Sequence, residues 1–256
     1  LEVETSARSL RLTGNHQVIA RRYAVRHDGL SRGTAGWSTA WIRADELKAG
    51  DYVAIPHGFD NCAAAVAPNG QALNIETMEL LGLYLGDGSR DGNRVEISHA
   101  DDADYMAYYS ASIANVFGVK PYSDSRRTRF SSAIAVALIG CGLSGDCYTK
   151  RVPGWVFDLS NELKRAFLRG YVDSDGCIQR GRIVFASANK PLLEDIRHLC
   201  MQVGVPGGRV VLSRRAGQAE RRGDRQGGQG ASNHGLPPRC GMWPLEAEPA
   251  RAATLF

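Results

Sequence analysis

Polar and apolar residues alternate along the front of the chain and then change period. Leu1–Thr5, Arg8–Leu12 and Val18–Val25 run close to period two, the mark of short half-buried strands. Gly14-Asn15 and Ala49-Gly50-Asp51 supply turns between them, and Trp41-Ile42 and Tyr52–Ile55 continue the pattern. A small all-β unit is predicted over residues 1–60, and the Ala-, Pro- and Asn-rich stretch 61–75 reads as a linker. From Glu76 onward the spacing becomes helical. Helices are predicted over Glu76–Gly88, Asp104–Val116, Asn161–Gly176 and Pro191–Val203, the last with proline in its first turn. Short strands, Arg94–Ile97 and Arg182–Ala186, follow the first and third helices. Residues 214–256 show neither period, and 11 of these 43 residues are Gly or Pro, so an irregular, disordered or degenerate tail is expected.

The helical region repeats itself. Gly82 matches Gly170, Asp87 matches Asp175, Gly88 matches Gly176 and Arg94 matches Arg182, each pair 88 residues apart. Gly118 and Gly204 extend the series at a spacing of 86. A repeat of this length is a duplicated half-domain, 76–163 and 164–213 onward, whose copies are expected to pack about a pseudo-twofold axis within a single chain. The fold class that follows is α+β: a β-rich front, then a repeated α/β body over 76–213.

Composition adds limits. The 256 residues are 43% hydrophobic and 23% charged, ordinary for a globular protein, and 31 basic against 27 acidic residues leave +4. Residues 214–256 hold 7 basic and 4 acidic groups, so the body before them is nearly neutral. Any nucleic-acid surface there must come from local clustering. The six cysteines form no C-x-x-C pair, which points to thiols in a reducing compartment and against structural zinc. No apolar run approaches membrane-spanning length and no secretory leader pattern is present, so a cytoplasmic protein is expected, nucleoid-associated when on DNA. The first residue is Leu rather than Met, which suggests a fragment or an excised segment.

The repeat has chemical consequences. Gly82 and Gly86 lie four apart, as do Gly170 and Ser174, so each helix carries a small-x-x-x-small face that permits close backbone approach. If the helices pair through these faces, Asp87 and Asp175 emerge together at two helix C-termini, where the dipoles and their mutual repulsion both oppose ionisation. A hard divalent cation reverses that penalty, and two carboxylates sharing metal between symmetric halves suit in-line displacement at a phosphodiester.

Leu80-Leu81-Gly82-Leu83-Tyr84-Leu85-Gly86-Asp87-Gly88 and Leu168-Arg169-Gly170-Tyr171-Val172-Asp173-Ser174-Asp175-Gly176 resemble the paired motifs of LAGLIDADG (DOD-type) homing endonucleases. That resemblance implies a double-motif αββαββα nuclease whose saddle-shaped sheets enter the DNA major groove and which uses Mg²⁺ (or Mn²⁺) to cut both strands. It implies that Asp87 and Asp175 are metal-binding catalytic acids. It also implies that Lys150, before Arg151-Val152-Pro153, is the lysine assisting charge stabilisation or proton transfer around the attacking water. The matching lysine of the second half would fall near residue 238, where Pro237-Pro238-Arg239-Cys240 has none. Arg126, Arg127 and Arg129, beside Tyr122 and Phe130, and Arg180 with Arg182 are the basic clusters available to DNA phosphates. Asp173, whose repeat partner is Leu85, reads as peripheral.

Thr13-Gly14-Asn15-His16 resembles the T-x-x-H motif of Hint-type intein splicing domains, and Ala44–Val53, with Gly50-Asp51, resembles the strand that follows it there. The resemblance implies that Thr13 and His16 orient and polarise an amide for protein splicing. Residue 1 is not Cys or Ser, and the chain ends Ala-Thr-Leu-Phe256 rather than His-Asn, so self-splicing is not expected of a truncated intein of this kind. The function expected is a site-specific, metal-dependent, monomeric double-strand DNA endonuclease with no membrane partner. The alternative is a nucleic-acid-binding remnant of the same scaffold with little or no cleavage.

Overall fold

The computed structural model describes residues 1–4, 9–26, 34–55, 58, 65–179, 182–205, 207–210 and 243–247, and the chain divides into two units, Leu1–Pro56 and His57–Phe256.

The first unit is β-structure, as the alternation predicts. Strand β1 (Glu2–Glu4) pairs antiparallel with β2 (Ser9–Arg11). The long hairpin of β3 (Gln17–Arg26) and β4 (Thr34–Arg43) takes β5 (Tyr52–Val53) on its other edge, giving the order β4-β3-β5. Period two separates the faces. Ala20 is fully buried on one, where Arg22 reaches Asp51 at 2.6 Å and Asp51 also accepts the Lys48 N–H at 2.8 Å across the Gly50 turn. Ile19, Tyr23, Trp37, Trp41 and Tyr52 are exposed on the other, with Tyr23 and Tyr52 each edge-on to Trp37.

The second unit begins with α1 (Ile75–Asp87), β6 (Gly88–Asp91), β7 (Arg94–Ser98), α2 (Ala103–Phe117), β8 (Tyr122–Ser123), β9 (Arg127–Ser131) and α3 (Ala133–Gly140). It continues with α4 (Asn161–Asp175), β10 (Gly176–Gln179), β11 (Arg182–Ser187), α5 (Lys190–Gln202), β12 (Gly207–Val210) and β13 (Trp243–Ala247). Two antiparallel four-stranded sheets result, β6-β7-β9-β8 and β10-β11-β13-β12, with the same connectivity. Helix α1 is buried almost all round, which is why its sequence is apolar on every side. Met78, Leu83, Ile113, Leu138, Phe167 and Leu193 lie at the centre of one continuous core.

Two expectations need correction. The predicted linker 61–75 is structured from residue 65: Val66 bridges Ala72, and Ala67 and Leu73 join the core, because a short turn closed by Ala67 N–H to Gln71 C=O folds their apolar side chains inward. The irregular tail supplies a strand, since β13 lies between β11 and β12 with Phe185 opposite Leu245. Elsewhere 211–256 falls outside the described residues. Helix α3, with eight consecutive residues of Ala, Ile, Val, Leu and Gly, has no polar face and so gave no period to read.

Helix α5 also separates the cysteines by reactivity. Cys200 is buried and desolvation pushes its thiol up to about 12, whereas Cys177 is exposed. At pH 8, iodoacetamide is expected to modify Cys177 and leave Cys200 untouched until the protein unfolds, as peptide mass mapping would show. Equal labelling of both in the folded protein would mean that α5 does not pack as described.

Candidate active site

Helices α1 and α4 meet without side chains between them. A Cβ added at Gly82 would overlap the carbonyl of Phe167, and one added at Gly170 would overlap the carbonyl of Glu79. Farther along, a Cβ at Gly86 would overlap Ser174 and sit 3.3 Å from Cγ of Asp175. The small-residue faces therefore pair as their spacing predicts. Each helix runs directly into a strand: Gly88 opens β6 and Gly176 opens β10, with φ of −84° and −87°. These glycines are not left-handed helix caps. They are needed because a Cβ at Gly88 would strike the Tyr84 ring and one at Gly176 the Val172 carbonyl.

This apposition brings Asp87 and Asp175 to the same end of the helix pair, both half-buried. Burial, and then the charge of Asp87, push the Asp175 carboxyl up to about 6 from its ordinary 3.8. Tyr171 and Lys150 act in the opposite direction without cancelling it. The Tyr171 hydroxyl is buried and faces Asp175 closely enough to hold its charge, yet the two form no hydrogen bond of ordinary geometry. Among the described residues no set of three or more His, Cys, Asp or Glu side chains could hold a metal. The two aspartates nonetheless fit a hard divalent cation, because their mutual repulsion is the cost that such an ion removes and oxygen is the donor it takes.

Lys150 is only 4% exposed and its ammonium is aimed at the end of α1. Its Nζ donates to the carbonyls of Tyr84 (2.9 Å), Leu85 (3.2 Å) and Gly88 (2.5 Å) and lies 4.7 Å from the Tyr84 ring centre. A cation bonded to the last carbonyls of a helix is favourably placed against its dipole. Desolvation lowers the Lys150 pKa to about 8, and the charges of Asp175 and Asp87 limit the fall.

A polar belt that sequence reading missed surrounds the helix pair. Glu79 on α1 is 5% exposed, ion-paired with Arg169 on α4, and accepts the Tyr108 hydroxyl of α2 at 3.0 Å. Tyr109 donates to Asp173 at 2.5 Å. Asp173, read as peripheral, thus ties α2 to α4. Burial raises the pKa of Tyr105 on the same helix, and Asp87 and Asp173 add to the rise. A hydrophobic helix with one glutamate in its interior is the signal that could have pointed to Glu79.

The basic cluster lies on the outer face of the first sheet. Thr128 and Phe130 of β9 point inward, leaving Arg127 and Arg129 outward beside Glu96 of β7. Arg127 reaches Glu96 at 2.6 Å; Arg129 reaches Glu96 and Asp124, each at 2.7 Å. Arg126 is exposed and, among the described residues, its side chain makes no ion pair. An open groove of about 820 Å³ on this face is lined by Arg94, Glu96, Lys120, Tyr122, Arg129 and Ser131. Arg180, the side chain of Arg182 and the region near residue 238 lie outside the described residues.

In the first unit, Thr13 and His16 flank the Gly14-Asn15 turn, both exposed, with the His16 N–H bonded to the Thr13 carbonyl at 3.1 Å. Thr13 lines a shallow hollow with Leu1, Glu2, Arg11 and Leu12; His16 does not. The backbone of Leu1 exchanges two 3.0 Å bonds with Leu12, which places residue 1 beside this hollow.

Residues 162–219 match the family model described as a LAGLIDADG-like domain. The chain is 28% identical over 236 residues to an iron–sulfur cluster assembly SufBD family protein of Mycobacterium leprae, covering 82% of this chain and 26% of that protein. It is 26% identical over 222 residues to the replicative DNA helicase DnaB of Rhodothermus marinus, covering 77% of this chain and 21% of that one. The chain thus spans about a quarter or less of the length of these relatives. A solved structure of mesophilic variants of the homing endonuclease I-DmoI is 17% identical and superimposes with a TM-score of 0.46, over 68% of this chain and 88% of that one. Among the described residues, no helix is long and apolar enough to cross a membrane.

Proposed function

We propose that residues 76–213, with β13, form a site-specific, divalent-metal-dependent double-strand DNA endonuclease of the homing type, two LAGLIDADG halves related by a pseudo-twofold axis in one chain. The observation that carries this reading is the glycine-to-carbonyl apposition of α1 and α4, which sets Asp87 and Asp175 side by side at the cost of raising the Asp175 pKa. The family match over 162–219 supports it on the second half. The two relatives support an intein context: an iron–sulfur assembly protein and a helicase share no activity by name, yet each matches over a minor part of its length. A segment common to such proteins behaves as an insert. On this reading residues 1–60 are part of a Hint-type splicing domain, with Thr13 beside residue 1 as an amide-orienting group.

Asp87 and Asp175 would hold Mg²⁺ or Mn²⁺, which would supply Lewis acidity toward a phosphodiester. The chain's own groups do the rest. The buried Tyr171 hydroxyl faces Asp175, Lys150 fixes the turn that carries Asp87, and the arginine-bearing outer face of the first sheet offers phosphate contacts. Arg127 and Arg129 enter that role already paired with carboxylates, so the face is less cationic than its arginine content suggests, and salt-sensitive affinity is expected to rest on Arg126, Arg94 and Lys120.

The test is cleavage, with Mg²⁺ or with EDTA, of a plasmid bearing the coding sequence of the gene that encodes this chain, joined across the segment that specifies it. Linearisation at one site only with metal is expected. A salt-sensitive gel shift without cutting would overturn the nuclease reading in favour of a binding remnant.

A further inference from the structure

The irregular segment that delivers Lys150 to α1 is held from the other half of the body. Asn189, 2% exposed, caps α5 and makes two bonds of opposite sense. Its Oδ1 accepts the Leu192 N–H at 3.1 Å, and its Nδ2 donates to the Lys150 carbonyl at 2.6 Å. One turn and a half along α5, Asp195 accepts Arg151 Nε at 2.5 Å, Arg151 Nη2 at 2.7 Å and the Val152 N–H at 3.2 Å. Residues 150–152 are thereby fastened to α5. The Lys150 ammonium then fastens α1, through the carbonyls of Tyr84, Leu85 and Gly88 that bracket Asp87.

Capping alone does not require asparagine. Helix α2, which occupies the same place in the first half, is capped by Asp102, whose carboxylate accepts the Tyr105 N–H at 3.0 Å. A cap needs only an acceptor. The amide of Asn189 adds a donor, and that donor is the group spent on Lys150.

We infer that Asn189 is a positioning residue for the aspartate pair: by holding the Lys150 backbone it sets the ammonium against the last turn of α1 and so fixes Asp87 opposite Asp175. Where it concerns the divalent ion, this inference rests on the nuclease reading. It gives α5 of the second half control over the acid of the first.

Two variants separate positioning from capping. Asn189→Asp keeps the cap acceptor and turns the residue into the type found at Asp102, but removes the donor. Asn189→Ser keeps a cap oxygen, adds no charge and falls short of the Lys150 carbonyl. Both are expected to retain the wild-type circular dichroism spectrum and affinity for target DNA in EDTA. Amide hydrogen exchange in the peptide spanning residues 83–88 is expected to accelerate, and the Mn²⁺ dissociation constant, read by electron paramagnetic resonance, to rise by about tenfold with a parallel fall in cleavage. If both variants exchange at 83–88 and bind Mn²⁺ like wild type while Asp87→Asn loses the ion, the inference is overturned and the nuclease reading stands. If Asp87→Asn binds Mn²⁺ like wild type, the nuclease reading falls, and exchange at 83–88 alone still decides whether Asn189 holds the end of α1.

Discussion

Gly82→Ala is expected to destabilise the second unit by about 3 kcal/mol or more, measured by urea denaturation, although it adds a single methyl group. The added Cβ would meet the Phe167 carbonyl and the Tyr171 backbone nitrogen, and neither can rotate away as a side chain could. Relief requires moving α4 as a body, which opens the packing around Met78 and Phe167 on both sides of the contact. Gly170→Ala should cost a similar amount for the mirror reason, against the Glu79 carbonyl. Gly140→Ala is the control: it lies at the exposed end of α3 with open space about it, and alanine there should be neutral or slightly stabilising. A Gly82→Ala protein as stable as the Gly140→Ala protein would mean that α1 and α4 do not meet backbone to backbone.

Asp175→Asn is expected to lower cleavage by roughly a hundredfold or more, because it removes an ionised oxygen donor, and at the same time to stabilise the fold at neutral pH. The sign follows from the direction of the shift. The folded-state pKa of Asp175, about 6, exceeds its ordinary 3.8, so the native state binds the proton more tightly than the unfolded chain. Its relative contribution to stability is therefore full below about pH 4, is lost as pH rises through about 6, and stays lost above. Discounted for the partial exposure of the residue, the penalty at pH 8 is on the order of 2 kcal/mol. Asparagine carries no such pH dependence, so the stability advantage of the variant should grow between pH 4 and pH 7 and then level off. Asp175→Asn that is less stable than wild type at pH 8, or that cuts DNA normally, would show that the carboxylate is not held under repulsion for the sake of a cation.

Parts of this architecture are written locally and could be read directly. The i, i+4 spacing of Gly82 with Gly86 and of Gly170 with Ser174 sits on single helices, and the 88-residue interval pairs them. Asp87 and Asp175 inherit their place at one end of the helix pair from that apposition, so the position of the pair was legible with the fold. Contacts that join distant elements were not. The bonds from Lys150 to Tyr84, Leu85 and Gly88 span 66, 65 and 62 residues, and that from Asn189 to Lys150 spans 39. Nothing in the local pattern of Tyr148-Thr149-Lys150 distinguishes an ammonium buried on carbonyls from one in solvent. The arginine cluster was visible as charge, but its neutralisation by Glu96 depends on the register of β7 against β9, with Glu96 opposite Arg129. Strand β13 carries Pro244 within a Gly- and Pro-rich stretch, which hides its place in the sheet, since proline offers no ladder donor.

The most direct test of the central claim is Mn²⁺ binding in the absence of DNA, compared among wild type, Asp87→Asn, Asp175→Asn and the double variant. Two carboxylates sharing an ion predict that either single substitution weakens binding by at least roughly tenfold, and that the double variant is little worse than the poorer single, because the site fails as a unit. Wild-type affinity in both single variants would contradict a metal held between Asp87 and Asp175.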